Sequence, residues 1–94
     1  MRRRYLSCYD IRNPKRLRQV HKLMQGYGYA LQYSVFICDL TGMECVRMKS
    51  QAAAIMNLDV DSLVVIDLGA TNLDRFDYVG ARHIEPPDPG SLVI

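Results

Sequence analysis

The run Arg4-Tyr5-Leu6-Ser7-Cys8-Tyr9-Asp10-Ile11-Arg12-Asn13-Pro14-Lys15-Arg16-Leu17-Arg18-Gln19-Val20 decides the fold. Residues 4–11 are aromatic and branched, alternate moderately and contain no breaker, so they read as a strand. Asn13 before Pro14 starts a helix. The amide side chain caps the free N–H groups, and proline at the first helical position gives up an N–H that would go unpaired anyway. Leu17, Val20, Met24 and Tyr27 then recur at spacings of three, four and three, which is one apolar helical stripe. Gly26 and Gly28 end it, either being able to take a left-handed C-cap conformation.

Working outward, Tyr29 to Leu40 is extended but long for one strand, and a reversal near Gln32–Ser34 is expected to divide it. Thr41 with Glu44 three residues on forms a capping box for a second helix. Its apolar positions are Cys45, Met48, Ala52 and Ile55, with Asn57 closing it in the left-handed region. Asp61 to Gly69 is a near-continuous apolar run that suits a central strand buried on both faces. Tyr78–Ile84 reads as a short further strand, and Pro86-Pro87-Asp88-Pro89-Gly90 marks residues 85–94 as an irregular tail. The order is βαββαβ plus an extra C-terminal strand. That order implies an α+β, ferredoxin-like sandwich with both helices on one face of the sheet. Residues 1–84 then form one domain. The bare sheet face needs a cover, which a chain this short obtains from a second copy, dimerising through the sheets.

The 94 residues are 49% hydrophobic and 23% charged, which excludes collagen-like, coiled-coil and disordered classes. No apolar run reaches the roughly 20 residues of a membrane span. The N-terminus lacks an apolar segment before Ser7, so a cytoplasmic setting without membrane association is expected. Three cysteines (Cys8, Cys38 and Cys45) without CxxC spacing read as reduced thiols.

The net charge of +2 conceals an asymmetry. Residues 1–22 hold eight basic residues against one acid, and the rest holds four against nine. A basic block of this kind suits a polyanion, since each cation that meets a phosphate releases a condensed counterion. It equally suits a solvated helix face following a mobile arm, Arg2-Arg3-Arg4. Asp10 is the acid that stands out, at the end of the first strand just before the basic helix. There a carboxylate meets water, a metal or arginines; in the plainer reading it caps the loop or pairs with Arg12 or Arg16. One carboxylate per chain is a thin site for Mg²⁺, which takes one or two carboxylates beside water and phosphate oxygens. Two copies of Asp10 across a dimer axis satisfy it. The other candidates are weaker. His21 and His83 lack neighbours at ligand spacing, and Ser7 and Ser34 lack a nucleophile turn. Gly26-Tyr27-Gly28 ends a helix rather than opening one. Asp39 reads as positioning the Thr41 cap, and Asp67 as a hydrogen-bonded structural acid. The aromatic residues, Tyr33 among them, have faces that stack bases, but their spacing assigns most to the core or a dimer face.

Tyr9-Asp10-Ile11, the basic helix from Lys15 to Val20, Gly26-Tyr27-Gly28 and Gln32-Tyr33-Ser34-Val35-Phe36 resemble the CRISPR-associated Cas-two family, the small subunit of the spacer-acquisition machinery. The likeness runs over residues 4–69 in order and spacing and loosely to 78–84. It implies a ferredoxin-like homodimer in which Tyr78–Ile84 joins the partner's sheet edge. It also implies that Asp10 of each copy binds Mg²⁺ or another divalent ion in an endonuclease acting on single-stranded RNA or double-stranded DNA. Arg12, Lys15, Arg16, Arg18 and Lys22 are then the nucleic-acid contacts. Leu17 departs from the arginine that some members carry. The same resemblance implies an alternative role, a non-catalytic scaffold that positions DNA for the Cas-one integrase. A third reading is an RNA-binding ferredoxin-like module.

Overall fold

The structure, a computed structural model, describes residues 1–71 together with residues 76, 77, 79 and 80. The expected strand at 78–84, apart from Val79 and Gly80, and the tail at 85–94 lie outside the described residues. The elements are β1 (Arg3–Asp10), α1 (Pro14–Gln25), β2 (Tyr29–Gln32), β3 (Val35–Leu40), α2 (Gly42–Ile55) and β4 (Ser62–Ala70). The four strands form an antiparallel sheet in the order β2-β3-β1-β4. This is the expected split βαβ arrangement, the ferredoxin-like fold.

Local chemistry sets the boundaries. The Asn13 side chain accepts from the Arg16 N–H at 3.0 Å. At the second helix the Glu44 N–H donates to Thr41 Oγ1 at 3.2 Å, and the Thr41 N–H donates back to Glu44 Oε1 at 2.8 Å. The two helix ends differ from expectation. Gly26 is right-handed, with φ −77°, and neither it nor Gly28 takes a positive φ. Gly28 is needed for space: a Cβ there would sit 2.1 Å from the Ile37 carbonyl oxygen and 2.8 Å from Cys38 Sγ. Asn57 is not left-handed either. The helix leaves through an extended Met56, and Asn57 opens a turn in which its side chain accepts from the Asp59 N–H at 3.1 Å.

Val20 and Met24 of α1, Cys45 and Met48 of α2, Tyr9, Ala30, Phe36, Cys38 and Leu40 form one buried cluster. Both helices therefore cover the same sheet face. Burial pushes the Cys38 thiol up to about 11, as befits an inert core sulfur, and all three cysteines are free. Among the described residues, no helix is long and apolar enough to cross a membrane.

β4 corrects the expectation of a central strand, because it stands at the edge of the described sheet. Leu63 and Val65 pack against the core, whereas Val64, Ile66 and Leu68 are 52%, 44% and 43% exposed. Val64 and Ile66 lie opposite Cys8 and Leu6 of β1, on the face away from the helices. The run is apolar on both sides, yet the chain's own helices cover one side of it. A register shift between Arg4 and Tyr5 leaves Leu68 as an extra residue on β4, next to Gly69 at φ 95°.

Candidate nucleic-acid interface and the Asp10 strand end

β1 ends at Asp10, opposite Ser62 of β4. The Asp10 side chain is 61% exposed, and its Oδ2 lies 3.0 Å from Arg12 Nη2. Among the described residues no group of three His, Cys, Asp or Glu side chains converges as a metal site. Asp10 is thus an exposed hard-oxygen donor whose partner among the described residues is Arg12.

The loop that follows Asp10 and carries Arg12 is fixed by Asp61, whose carboxylate side chain is fully buried. It accepts from the Arg12 N–H at 2.8 Å, from the Asn57 N–H at 2.9 Å, and from Arg16 Nε and Nη2 at 2.7 and 3.2 Å. The hydrogen bond from Arg16, aided by the two backbone N–H groups, holds the Asp61 carboxyl well below the usual carboxylate range. In the sequence Asp61 reads only as the start of a strand. The one available hint was an acid at the head of an apolar run, since a carboxylate drawn into a core edge must be paired.

The basic block divides into paired and unpaired cations. Arg2 meets Glu44 at 2.6 Å, Arg3 meets Asp67 at 2.8 Å, and Arg4 meets Asp39 at 2.9 and 3.1 Å. Arg4 also lies 5.7 Å from the centre of the Phe76 ring. Of the expected mobile arm, Arg3 and Arg4 are thus the start of β1 and Arg2 directly precedes it, with all three charges engaged. Asp39 pairs with Arg4 rather than positioning Thr41, while Asp67 is the hydrogen-bonded structural acid expected, bound by Arg3 and the Gly69 N–H. Of the five expected contact residues, Arg16 is held by Asp61 and Arg12 by Asp10. Lys15, Arg18 and Lys22 are exposed and have no carboxylate within 4.0 Å among the described residues. Their spacing of three and four places them on one stripe of α1, opposite the buried Val20 and Met24. This stripe can track a phosphate backbone without giving up any internal ion pair.

Comparison with known proteins bears on the family and the fold. The model of the family described as CRISPR associated protein Cas2 matches residues 2–76. A relative named CRISPR-associated endoribonuclease Cas2 1, from Rhodospirillum rubrum, is 43% identical over 65 residues. That match covers 69% of this chain and 64% of the relative, so it spans less than two thirds of the relative's length. CRISPR-associated endoribonuclease Cas2 2 of Thermodesulfovibrio yellowstonii is 38% identical over 82 residues, covering 87% of this chain and 90% of that one. The crystal structure of Streptococcus pyogenes Cas2 at pH 6.5 superposes with a TM-score of 0.74 at 35% identity, covering 82% of this chain and 99% of that one. Fold, matched residues and relatives together make this chain a member of the CRISPR-associated Cas2 family.

Proposed function

We propose that the chain acts as a homodimer in CRISPR spacer acquisition, as a divalent-metal-dependent endonuclease in which Asp10 of each copy supplies one carboxylate. The observation that carries this reading is the exposed Asp10 carboxylate at the end of β1, next to a loop clamped by buried Asp61. The exposed strip Val64, Ile66 and Leu68 supports the second copy, since apolar surface beside a strand edge is stabilised by a cover. The relatives' names, endoribonuclease and endonuclease, support the reaction class. Mg²⁺ or another divalent ion held by the two carboxylates would supply charge neutralisation at phosphorus and a more acidic bound water. The chain's own residues do the rest. Lys15, Arg18 and Lys22 hold the phosphate backbone, and Arg12, at rest on Asp10, is placed to turn its planar fork toward a phosphate oxygen. Water displaces one ester oxygen in line, losing a proton as the leaving oxygen gains one. The test is Asp10→Ala: it should leave the dimer mass in sedimentation unchanged and abolish Mg²⁺-dependent cleavage of labelled RNA and duplex DNA. Cleavage that persists at the wild-type rate overturns the nuclease reading.

The unpaired stripe on α1 favours a second reading, a scaffold that positions DNA for the Cas-one integrase, because the stripe offers binding without chemistry. In that role Asp10→Ala supports spacer integration, and Arg18→Glu with Lys22→Glu does not. Integration unimpaired by the double charge reversal refutes it.

A further inference from the structure

An open cavity of about 570 Å³ lies between α1 and the β2–β3 turn, within the roughly 300–1,000 Å³ of small-molecule sites. Tyr9, Leu17, His21 and Tyr33 line it together with Arg18 and Lys22. Neither cation has a carboxylate within 4.0 Å among the described residues. The two stand one helical turn apart on the same stripe of α1.

The histidine at this site is held in one tautomer. The Tyr9 hydroxyl donates to the Tyr33 carbonyl oxygen at 3.0 Å. His21 Nδ1 lies 2.8 Å from that hydroxyl oxygen and 3.1 Å from the same carbonyl. A carbonyl only accepts, so Nδ1 carries the hydrogen, and Nε2 of the neutral ring keeps a free lone pair. The imidazole also meets Phe36 edge-on, at 5.5 Å between ring centres, which fixes the ring plane. The cavity thus brings together an uncommitted lysine, a guanidinium whose fork fits a phosphate, and a fixed proton acceptor. Transfer of an acyl group from a phosphate to a lysine needs these three groups. The chain has three lysines, Lys15, Lys22 and Lys49. Lys15 lies two turns earlier on the stripe, outside the lining of this cavity. Lys49 borders a separate cavity with Asp61 and Asp67, carboxylates that disfavour an anionic donor, and no histidine is among the described residues lining it.

We propose that Lys22 is the site at which a small acyl phosphate acylates this chain, with Arg18 holding the phosphate and His21 taking the proton. Lys22 Nζ, as the amine, forms a bond to the carbonyl carbon. The bond from that carbon to the phosphate oxygen breaks, and the phosphate leaves with the electron pair, against Arg18. The proton shed by the nitrogen passes to His21 Nε2 and on to water. The product is a neutral amide, so the stripe on α1 loses one of its three cations. Acylation itself is independent of the proposed function. Its consequence, a weaker hold on a phosphate backbone, rests on the nucleic-acid-binding part of that reading.

The experiment incubates the full chain with acetyl phosphate and follows the acetylated fraction of each lysine by mass spectrometry. Lys22 is expected to react at least about tenfold faster than Lys15 or Lys49, a modest share of the roughly 10²–10⁴ that a positioned base contributes. Arg18→Ala should raise the donor concentration that gives half the maximal rate, and His21→Asn should lower the maximal rate. Lys15 should react as before in both variants, and equal thermal melts check that the fold is retained. Arg18 is exposed, so Arg18→Ala decides alone if His21→Asn melts lower. Acetylated at Lys22, the wild-type chain should bind a blunt duplex with a slope of log affinity against log salt smaller by about 0.9 per contacting protomer. Equal rates at the three lysines, or an excess at Lys22 that survives these substitutions, overturns the inference and leaves the nucleic-acid reading intact. An unchanged salt slope in chain fully acetylated at Lys22 overturns the phosphate contact of Lys22 and the regulatory consequence with it.

Discussion

Removing the three unpaired cations of α1 should change the salt dependence of duplex binding by an amount set by the structure. Each phosphate neutralised on B-form DNA adds about 0.9 to the slope of log affinity against log salt concentration. Lys15, Arg18 and Lys22 together are then worth about 2.7 per protomer that contacts the duplex. Between 50 and 200 mM salt, a fourfold change, that slope corresponds to about a 40-fold loss of affinity. The triple variant Lys15→Ala, Arg18→Ala, Lys22→Ala should lack this component, so its affinity curve is flatter by that amount. Its stability should stay within about 0.5 kcal/mol of wild type, since all three side chains are exposed and have no carboxylate partner among the described residues. Arg16→Gln is the informative control. Its guanidinium is engaged by Asp61 at 2.7 Å, so its loss should lower the melting temperature and leave the salt slope unchanged. Fluorescence anisotropy with a blunt labelled duplex, titrated across the salt range, measures both variants. An Arg16 variant that flattens the slope as much as Arg18→Ala, or a triple variant that leaves it unaltered, refutes the division into paired and unpaired cations.

Two further outcomes concern the scaffold. Asp61 has its carboxyl depressed below the ordinary value of 3.8 by Arg16 and two backbone N–H groups. Its contribution to stability is fully present above that value and is lost as pH falls through and below it, because the unfolded carboxylate takes up a proton first. Denaturant midpoints measured from pH 7 to pH 2.5 should therefore fall less steeply in Asp61→Asn than in wild type, from a lower starting point; parallel profiles would contradict the pairing. Gly28→Ala should destabilise by about 1–3 kcal/mol, because its Cβ meets backbone at 2.1 Å. Gly42→Ala, with nothing within 4 Å at the first turn of α2, should be neutral or stabilising by up to about 1 kcal/mol. Thermal melts of the pair decide, and equal melting temperatures would refute the steric account.

The features legible in the sequence are the ones governed by near neighbours. Asn13 with Pro14 and Thr41 with Glu44 act within one helical turn, so their spacing declares both helix starts. The reversal after Gln32 follows from strand length alone. The ion pairs were not legible, because Arg2–Glu44, Arg3–Asp67, Arg4–Asp39 and Arg16–Asp61 join residues 35 to 64 positions apart. A tally of charge along the chain counts all eight basic residues of 1–22 as one block, whereas among the described residues folding engages five of them with carboxylates. The place of β4 was misread for a related reason. An apolar run records that both faces shun water, and is silent on whether helices or another chain provide the shelter. Gly28 was identified as a helix stop on conformational grounds, while its actual constraint is the Ile37 carbonyl on β3, a contact that exists only once the sheet has formed.

Asp61 ties two regions distant in the chain: the stretch from Arg12 to the first turn of α1 at Arg16, and its own neighbourhood at the exit of α2, through Asn57. One buried carboxylate thus serves as a keystone between the loop at 56–60 and the Asp10 end. Lengthening that loop by even a residue would pull on the keystone and misalign Asp10, although no inserted atom came near it.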